Sequence, residues 1–543
     1  MPEPRKRYPF RATPELAHAR AHYPVVIAGA GPVGLAAARD LGLRGIHTVV
    51  LDDDDWISIG SRAICWAKRT LEIFDRLGCA QPMMQKGVIW NTGKVFYGDD
   101  REPVFSFDLL PDKSQCFPAF INLQQYYVEQ YLVDQVEETP LAELRWHSRV
   151  TAVRQYSDHV EVAVDTPQGS YVVDADYLIA ADGCRSSIRT MLGLDFAGEV
   201  FQDHFLIADI RMKAERPSER WFWFDPPFAR GQSALLHKQP DDLWRLDFQL
   251  GWNIERDAEL DPARITKRVR RMLGEEAVFE LEWSSIYTFQ CRMLERFVHD
   301  RVIFAGDSAH LVSPFGARGA NGGIQDIDNL CWKLALVQNG VSPPSLLTSY
   351  DAERVQAARE NLLHSTRSTD FITPKGAASR AFRDAVLSLA RDHAFARAYV
   401  NSGRLSMPAT LAHSPLLPVD GDAPAAGLRP GAPARDAPIR VRGGAGWLLK
   451  ELGNRFTLLC FGDVSADRLA ELPVPVDVLR VLPEGSPDRP GPMLVDAIGK
   501  LATDLQPAPN ACLLFRPDQH LAAVWHDFDA GRVSSAVMTS IGR

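Results

Sequence analysis

The chain has 543 residues, of which 46% are hydrophobic and 24% charged, a composition that indicates a globular protein of two or three domains and excludes disordered and fibrous classes. The net charge of −9, with no basic stripe carrying interleaved aromatic residues, argues against a nucleic-acid partner. No apolar run approaches the roughly 18 residues of a membrane span, and the eight cysteines show no metal-ligand or C-x-x-C spacing. We therefore expect a reduced cytoplasmic protein with no structural metal and no membrane partner.

Residues 1–22 are basic and polar and lack the apolar core of a signal peptide, so we expect a loose N-terminal arm or a surface helix. The first strand candidate, Tyr23–Ala28, runs directly into Gly29-Ala30-Gly31-Pro32-Val33-Gly34. A helical pattern over Leu35–Leu43 follows, and then a second strand, Thr48–Leu51, which ends at Asp52. This order of strand, glycine loop, helix, strand and acid is the context that a dinucleotide fingerprint requires.

The glycine spacing has a physical meaning at each position. Gly29 permits the tight turn, Gly31 lets the backbone approach a pyrophosphate, and Gly34 lets the helix pack closely on the strand. Asp52 stands where a carboxylate receives the ribose hydroxyls of an adenosine, and the acidic run that follows it disfavours a 2′-phosphate. The sequence therefore predicts a pocket for FAD or NAD rather than NADP.

The next stretches add a second candidate ligand edge. Arg62 precedes a predicted helix and is either a surface charge or a phosphate ligand, and Asn122–Val136 is predicted to form another helix. An antiparallel ribbon over Val150–Val164 and Tyr171–Asp174 leads to a strand, Tyr177–Ala181. That strand ends at Asp182-Gly183, followed by polar and basic residues that open a helix.

Residues 201–287 are mostly strand-like and rich in aromatic residues. Trp221-Phe222-Trp223-Phe224 predicts two tryptophans on one face and two phenylalanines on the other. Trp244–Leu250 alternates in the same way, with Arg245, Asp247 and Gln249 on the face opposite the apolar residues. Such a sheet, inserted between two parts of a nucleotide domain, is a suitable wall for a substrate pocket.

Arg301–Ala335 predicts a ligand clamp. The apolar strand Val302–Ala305 leads into Gly306-Asp307 and a loop rich in Gly, Pro and Asn, after which an amphipathic helix begins. Backbone amides and the positive end of a helix dipole at such a loop favour an anionic ligand.

The C-terminal third contains a predicted helix over Leu346–Phe371 and a Pro/Ala/Gly-rich linker or strap over about Met407–Pro438. Beyond it, Phe456–Phe461, Val476–Val481 and Ala511–Phe515 are strand candidates of a small α/β domain.

Taken together, Gly29–Gly34 with Asp52, Tyr177–Arg189 and Gly306–Asp326 resemble the three FAD motifs of the class A flavoprotein aromatic hydroxylases, which have the p-hydroxybenzoate hydroxylase fold. The C-terminal Arg516-Pro517-Asp518-Gln519-His520 resembles the phenol hydroxylase-like subgroup, whose C-terminal domain is thioredoxin-like. The resemblance implies a mixed α/β (α+β) fold in five parts: an arm at 1–22; a discontinuous Rossmann-like FAD-binding domain at 23–97, 120–198 and 288–375; an inserted antiparallel-sheet substrate domain at 98–119 and 199–287; a helical linker at 376–438; and a thioredoxin-like domain without C-x-x-C at 439–543.

The resemblance also implies cofactor-binding residues. Gly29, Gly31, Pro32 and Gly34 belong to the pyrophosphate loop, Asp52 binds the adenosine ribose, and Arg62 and Gln125 reach the phosphates and the ribityl chain. Asp182 and Gly183 touch FAD and are implicated in NAD(P)H use, Asp307 holds a ribityl hydroxyl, and Pro314 lies over the flavin edge. Gly319, Ala320 and Asn321 face the flavin pyrimidine, and Asp53 and Val150 complete the implied set.

The implied reaction is hydroxylation of a phenolic or aromatic substrate. NADH or NADPH reduces FAD, O₂ gives a flavin C4a-hydroperoxide, and its distal oxygen attacks an electron-rich ring. Removal of a phenolic proton calls for a nearby base. We predict His237 as that base, Arg245 or Gln249 as substrate-orienting groups, and Tyr287 and the Pro314 carbonyl as further candidates. A packed, purely structural His237 is the competing interpretation, and a homodimer is the expected assembly.

Other functions remain open at this point. Trp221–Pro226 comes one residue from the W-x-W-x-I-P pattern of flavin-dependent halogenases, with Asp225 where Ile belongs. A quinone-linked dehydrogenase and a non-catalytic flavin-bound interaction protein are further alternatives.

Overall fold

The computed structural model of the chain describes residues 6–17, 20–58, 62–400, 405–422, 427–441, 444–462, 464, 467–487 and 492–543. The strands are β1 (Ala21–Ala28), β2 (Thr48–Leu51), β3 (Cys65–Ala67), β4 (Val88–Trp90), β5 (Thr92–Tyr97), β6 (Phe105–Asp108), β7 (Phe120–Asn122), β8 (Ala142–Arg145), β9 (Arg149–Gln155), β10 (Val160–Thr166), β11 (Gly169–Ala180), β12 (Ala197–Arg211), β13 (Arg220–Phe224), β14 (Ser233–Lys238), β15 (Leu243–Gly251), β16 (Glu280–Met293), β17 (Val298–His299), β18 (Val302–Phe304), β19 (His310–Leu311), β20 (Pro438–Val441), β21 (Gly444–Trp447), β22 (Phe456–Cys460), β23 (Val476–Leu482), β24 (Met493–Asp496), β25 (Cys512–Phe515) and β26 (Leu521–Trp525). The helices are α1 (Pro32–Leu43), α2 (Lys68–Arg76), α3 (Ala80–Lys86), α4 (Gln125–Glu137), α5 (Ser187–Met191), α6 (Arg256–Glu259), α7 (Pro262–Leu273), α8 (Gly319–Gln338), α9 (Leu347–Ile372), α10 (Ala377–Ala390), α11 (Ala394–Arg397), α12 (Leu448–Leu452), α13 (Lys500–Leu505) and α14 (Ala530–Ser540). The fold is mixed α/β, as the sequence predicts.

The first sheet has the order β17-β18-β11-β1-β2-β8, and the neighbours from β18 to β8 run parallel. Val25, Val26 and Ile27 are fully buried, which matches the near-continuous apolar strands of a parallel sheet covered on both faces. Helices α1 and α8 pack on each other beside β1. The carboxyl ends of β1, β2, β11 and β18 therefore meet at one edge.

Two predicted elements differ from the structure near this sheet. Tyr171–Asp174 and Tyr177–Ala181 are not separate strands, because β11 continues through them, first antiparallel to β10 and then parallel to β1. Helix α4 begins three residues later than predicted, because Phe120–Asn122 pairs with both β3 and β4 as a strand.

The second sheet, in the order β19-β16-β12-β15-β14-β13-β5-β6, is the predicted antiparallel wall with one parallel pair, β13 with β5. The sequence places β5 within the nucleotide-binding part, yet hydrogen bonding makes it a member of this sheet. Helix α7, which the strand-like reading of 201–287 does not predict, covers the outer face with Ile265 and Val269. The inner face packs against Phe315, Phe371 and Ile372.

The N-terminal segment is not a loose arm over its described residues. Tyr8 is buried, its ring stacks on Trp146 at 4.5 Å, and its N–H donates to the carbonyl of Asp55 at 2.8 Å. Its aromatic ring completes the core of the first sheet, which the basic composition of the segment does not reveal.

The C-terminal part forms a third sheet, in the order β21-β20-β24-β23-β22-β25-β26. The segment before it is a strap rather than a free linker, since Leu411, Leu416 and Leu428 are buried and the Asp422 N–H donates to Val524. Trp332 of α8 belongs to the same hydrophobic core as this sheet. The third sheet therefore packs directly on the helix that follows the clamp loop, the loop of residues 305–318 between β18 and α8. A thioredoxin-like fold for this part, and a homodimer, stay predictions.

Within the described ranges, none of the helices combines the length with the apolar character that a bilayer crossing demands.

Candidate functional site

The turn between β1 and α1 is shaped by close backbone contacts. Gly29 has a φ of +102°, and a Cβ there would lie 2.5 Å from the carbonyl oxygen of Ala181. A Cβ on Gly34 would lie 1.9 Å from the carbonyl oxygen of Gly29, whereas one on Gly31 would meet no atom within 4 Å. The first and third glycines are thus required by the fold itself, and the middle one leaves an open space before α1, where a phosphate group can approach.

Asp52 closes the same edge from β2. One carboxylate oxygen accepts from the Ala30 N–H at 2.5 Å and the other from the Asp54 N–H at 2.9 Å. Burial raises the pKa of Asp52 to about 7, although these two hydrogen bonds oppose the shift. The neighbouring Asp53 is exposed, and Val150 lies half-buried in β9, paired with Val164.

Arg62 is the cation of this cleft. Its side chain is exposed. Burial raises the pKa of Asp54, Glu129, Asp307 and Tyr287, and the charge of Arg62 opposes the rise in each case, so the guanidinium lies among groups from four separate elements. That position suits a pyrophosphate ligand. Gln125, in contrast, has both amide atoms engaged, accepting from Ala63 N–H at 3.1 Å and donating to Glu129 at 2.7 Å.

Asp182 follows β11 at the same edge. One of its carboxylate oxygens accepts from the Ile188 N–H at 3.1 Å and from Ser187, while Oδ1 is buried without a hydrogen-bond partner. Gly183 has a φ of +77°, which allows the chain to turn sharply after the acid. An orphaned acceptor here is the kind of group that a ligand hydroxyl satisfies.

Asp307 lies in the turn after β18. Its side chain is exposed, yet the surrounding protein desolvates it enough to raise its pKa. The turn is held from behind by Asp326, which accepts from the Gly306 N–H at 3.0 Å, from His310 at 2.7 Å and from Arg354 at 2.7 Å. The sequence does not single out His310 or Arg354, because α9 brings Arg354 to the loop only in the folded chain.

Helix α8 begins at Gly319 with no side-chain cap, so the amides of its first turn remain available. Asn321 fixes this helix start to β3 and α2: its amide nitrogen donates to the Cys65 carbonyl at 2.9 Å, and its oxygen accepts from the Ala67 N–H and the Thr70 hydroxyl. Uncapped amides at the start of a 20-residue helix favour the negative charge of a reduced flavin. The uncapped start of α8, together with Asp52, the open space at Gly31, Arg62 and the unpartnered Oδ1 of Asp182, provides the groups that FAD binding needs.

Opposite α8, a row of polar side chains crosses the inner face of the second sheet. Arg245 of β15 pairs with His237 of β14 and with Asp209 of β12. Arg220 of β13 stands one position before the pair Trp221–Leu236, which places it beside His237. The next positions along β13 on this face, Phe222 and Phe224, are buried and pack against Phe315 from the clamp loop.

His237, the predicted base, is buried, and its ring lies edge-on to Trp90 at 6.5 Å. Nδ1 is enclosed without a hydrogen-bond partner. Burial lowers the pKa of His237 well below its usual range, and the guanidiniums of Arg220 and Arg245 lower it further. The imidazole is therefore neutral at physiological pH.

Arg245 lies between acids. Its Nε is 3.5 Å from Asp247 and 3.8 Å from Asp209, and its Nη1 donates to the Arg62 carbonyl at 3.4 Å. Burial raises the pKa of Asp247 to about 6, against the opposing effect of Arg245. Tyr287 is half-buried nearby: desolvation raises its pKa, and Arg245 and Arg62 oppose that rise.

Two predicted catalytic groups are already engaged within the protein. Gln249 accepts from Ser233 at 3.0 Å and donates to Asp203 at 3.0 Å, so its contacts give it a structural role and no support as a substrate-orienting group. The Pro314 carbonyl accepts from the Ala317 N–H at 3.1 Å, while the proline ring itself is exposed.

Arg220, in the polar row, is another residue that the sequence analysis did not single out. Its signal was present, since the alternation of β13 puts it on the same face as Phe222 and Phe224, directly before the aromatic run.

Residues 22–365 of the chain match the model of a protein family described as "FAD binding domain". A flavin-dependent monooxygenase of Mycobacteroides abscessus is 32% identical over 377 residues, covering 65% of this chain and 76% of that protein. The 6-methylpretetramide 4-monooxygenase of Streptomyces rimosus is 30% identical over 527 residues, covering 92% of this chain and 90% of that protein.

Two solved structures extend the similarity to nearly the whole chain. The flavin-dependent monooxygenase PieE, solved with FAD and substrate, has a TM-score of 0.81 and 22% identity, covering 96% of this chain and all of that one. OxyS, an anhydrotetracycline hydroxylase from Streptomyces rimosus, has a TM-score of 0.72 and 26% identity, covering 96% of this chain and 99% of that one.

Proposed function

Since the chain belongs to the FAD binding domain family and is an FAD-dependent aromatic monooxygenase, we propose that it hydroxylates a phenolic ring, using O₂ and NADH or NADPH. One observation supports this proposal above the others: Cys65 lies beside both the start of α8 and the polar row of the second sheet. The Cys65 carbonyl accepts from Asn321, and its thiol is close enough to Arg220 and Arg245 for both charges to affect its pKa. We therefore place the substrate ring between this sheet and the start of α8.

The residues around the cofactor have separable tasks. Bound FAD supplies the redox chemistry, accepting a hydride equivalent from NAD(P)H and activating O₂. Asp52 and the Gly31 opening hold the adenosine and pyrophosphate, Arg62 neutralises the phosphates, and the uncapped amides of α8 stabilise negative charge on the flavin pyrimidine. Phe315 and the phenylalanines of β13 exclude water from the space above it.

The polar row favours loss of the phenolic proton from the substrate ring. A phenol is attacked more readily after its proton is lost, and the guanidinium of Arg245 favours the phenolate. The neutral His237 offers a ring nitrogen to the phenolic proton, but its two cationic neighbours disfavour a lasting imidazolium. We therefore assign His237 to hydrogen bonding and transient proton transfer, and Tyr287 to orienting the ring hydroxyl.

The comparisons favour hydroxylation over halogenation, because the related proteins are monooxygenases and hydroxylases. Asp225, at the position of Ile in the halogenase pattern, has a φ of +50° and accepts from the Gly231 N–H at 2.6 Å, so it serves a turn.

The test is a screen of phenols and aromatic acids on the purified holoenzyme, with NADH and NADPH each supplied. We expect at least one compound to accelerate NAD(P)H oxidation and to be recovered with one added oxygen atom, which ¹⁸O₂ labels. Hydrogen peroxide is measured in parallel to separate coupled turnover from leakage. Stimulated oxidation that yields only peroxide with every ring compound, or product formed without O₂, contradicts the proposal.

A further inference from the structure

Cys460 and Cys512 face each other across two strands of the third sheet. Cys460 is the last residue of β22 and Cys512 the first of β25, and the antiparallel register pairs them directly. One position further along, the Phe461 N–H donates to the Ala511 carbonyl at 2.9 Å. Because hydrogen-bonded and non-hydrogen-bonded pairs alternate in an antiparallel ladder, the two cysteines form a non-hydrogen-bonded pair, in which the Cα atoms are about 4.5 Å apart. A disulfide can span that separation.

The two side chains also lie in the same core. Directly opposite residues of an antiparallel pair project to one face, and both cysteines belong to the core that contains Trp332 of α8. Both thiols are free and buried. Hydrogen bonding with Cys460 lowers the pKa of Cys512 despite its burial, whereas the same bond, together with burial, raises the pKa of Cys460. Cys512 therefore has the greater thiolate character of the two.

The pair stands at the ends of its two strands. Asn510, two residues before Cys512, is exposed, and Phe461, directly after Cys460, is only half-buried. Strand ends open locally at a much smaller cost in free energy than the centre of a core does. We therefore expect such openings to admit a reagent as small as hydrogen peroxide to thiols that the closed sheet covers.

The spacing of cysteines in the sequence does not reveal this pair. A C-x-x-C motif brings two thiols together within one turn of chain, whereas here the pairing of β22 with β25 does so. A covalent bond between these cysteines would join the two strands inside the core through which the third sheet packs on α8.

We propose that Cys460 and Cys512 are a redox-active dithiol, a modification site at which hydrogen peroxide forms a cross-strand disulfide. The Cys512 thiolate attacks one peroxide oxygen and displaces the other as hydroxide, which takes up the proton that Cys512 has released and leaves as water; Cys512 becomes a sulfenic acid. The Cys460 sulfur then displaces the sulfenic hydroxyl, which takes the Cys460 proton and leaves as a second water, and an S–S bond forms. Two thiols lose two electrons, and one peroxide becomes two waters.

This inference goes beyond the proposed function and does not rest on it. The hydroxylation reaction would supply the oxidant, because its uncoupled turnover releases hydrogen peroxide. Peroxide from any other source would act on the same pair, so failure of the hydroxylase proposal leaves the dithiol in place, and failure of the dithiol leaves that proposal untouched.

The test exposes the full-length holoenzyme to hydrogen peroxide and removes the excess with catalase. Remaining thiols are alkylated in denaturant and mapped by mass spectrometry. We expect the peptides of Cys460 and Cys512 to be joined to each other, lighter than their sum by two hydrogens, and to be separated by dithiothreitol. Loss of their thiols should be at least about tenfold faster than loss of the Cys331 thiol. Cys331 is the matched control, since it is also buried and burial raises its pKa.

Two variants separate the roles of the partners. Cys460→Ser retains a hydrogen-bond donor beside Cys512, so Cys512 should stop at a sulfenic acid, which dimedone traps. Cys512→Ser removes the attacking thiolate, so Cys460 should react as slowly as Cys331. The wild-type experiment needs neither variant to fold, because it reads the disulfide directly.

Three results overturn the inference. The first is oxidation of the exposed Cys184 while the Cys460 and Cys512 thiols both remain, since it shows that active peroxide does not reach the pair. The second is a bond between Cys460 and Cys512 that forms only when the protein is oxidised in urea. The third is a Cys512 thiol that is lost no faster than that of Cys331.

Discussion

Arg516 and Glu353 form a two-pronged ion pair, with nitrogen–oxygen distances of 2.6 and 3.0 Å, that ties the residue after β25 to the N-terminal part of α9. Both side chains are completely enclosed, and Lys333 of α8 donates to the same carboxylate at 2.6 Å. These cations hold the pKa of Glu353 well below its usual range despite its burial. The third sheet is thereby coupled to α8, the helix whose first turn we assign to flavin binding.

We expect Glu353→Gln to lower the free energy of unfolding by about 3–5 kcal/mol, because it leaves Arg516 and Lys333 buried with too little negative charge. Urea denaturation of the holoenzyme measures the change. Glu360→Gln, on the same helix but in an exposed pair with His364, is the control and should cost less than about 1 kcal/mol. If both substitutions lowered the free energy of unfolding equally, the buried ion pair would contribute no more to stability than the exposed pair.

Substitutions at two of the fingerprint glycines, Gly34 and Gly31, should affect stability and cofactor binding separately. Gly34→Ala is expected to destabilise the apoprotein, since its Cβ would overlap the Gly29 carbonyl. Gly31→Ala meets open space, so we expect an apoprotein that is as stable as wild type but binds FAD at least tenfold more weakly, because the methyl group occupies the approach of the pyrophosphate. Thermal melting and FAD titration measure the two effects. Unchanged FAD affinity in Gly31→Ala would contradict this assignment of the loop.

Asp52 should give the apoprotein a distinctive pH dependence. Its pKa is about 7 in the folded chain against an ordinary value of 3.8, so the folded state holds this proton more tightly than the unfolded state. Its contribution to stability is therefore complete below about pH 4 and is lost as the pH rises through 7. We expect the thermal midpoint of the wild-type apoprotein to fall more steeply between pH 5 and 8 than that of Asp52→Asn.

The control for this pH profile is Asp53→Asn, since Asp53 is the exposed neighbour of Asp52. It should retain the wild-type slope. A slope that is the same in wild type and in Asp52→Asn would mean that the carboxylate is already ionised in the folded apoprotein.

His237→Phe should reduce coupled product formation by at least about tenfold, because it removes the nitrogen that meets the phenolic proton. FAD affinity should not change, since His237 lies on β14 of the second sheet and is not among the residues assigned to FAD. Product yield and hydrogen peroxide per NAD(P)H oxidised are the measurements. His204→Phe, on β12, which β15 separates from β14, is the control and should stay coupled; its Nδ1 lies 3.0 Å from the Thr288 hydroxyl. If His237→Phe still coupled NAD(P)H oxidation fully to product formation, His237 would have only a packing role.

The sequence by itself determined the cofactor edge. Gly29, Gly31, Gly34 and Asp52 lie within one strand–helix–strand unit, where local spacing decides backbone geometry, and the structure brings them together as the spacing predicts. The alternation of β13 and β15 likewise follows from a period of two, so the inward faces of these strands could be assigned before any tertiary contact was known.

Only the tertiary structure decided what those faces do. Arg220, His237 and Arg245 become one row because β13, β14 and β15 pair in a particular register, and the Gln249 amide is engaged by hydrogen bonds with Ser233 and Asp203. Register, burial and charge pairing between distant segments depend on the whole packed chain rather than on local periodicity. For that reason a dinucleotide site could be predicted from a short stretch, whereas the surroundings of the substrate pocket became clear only from the pairing of the strands.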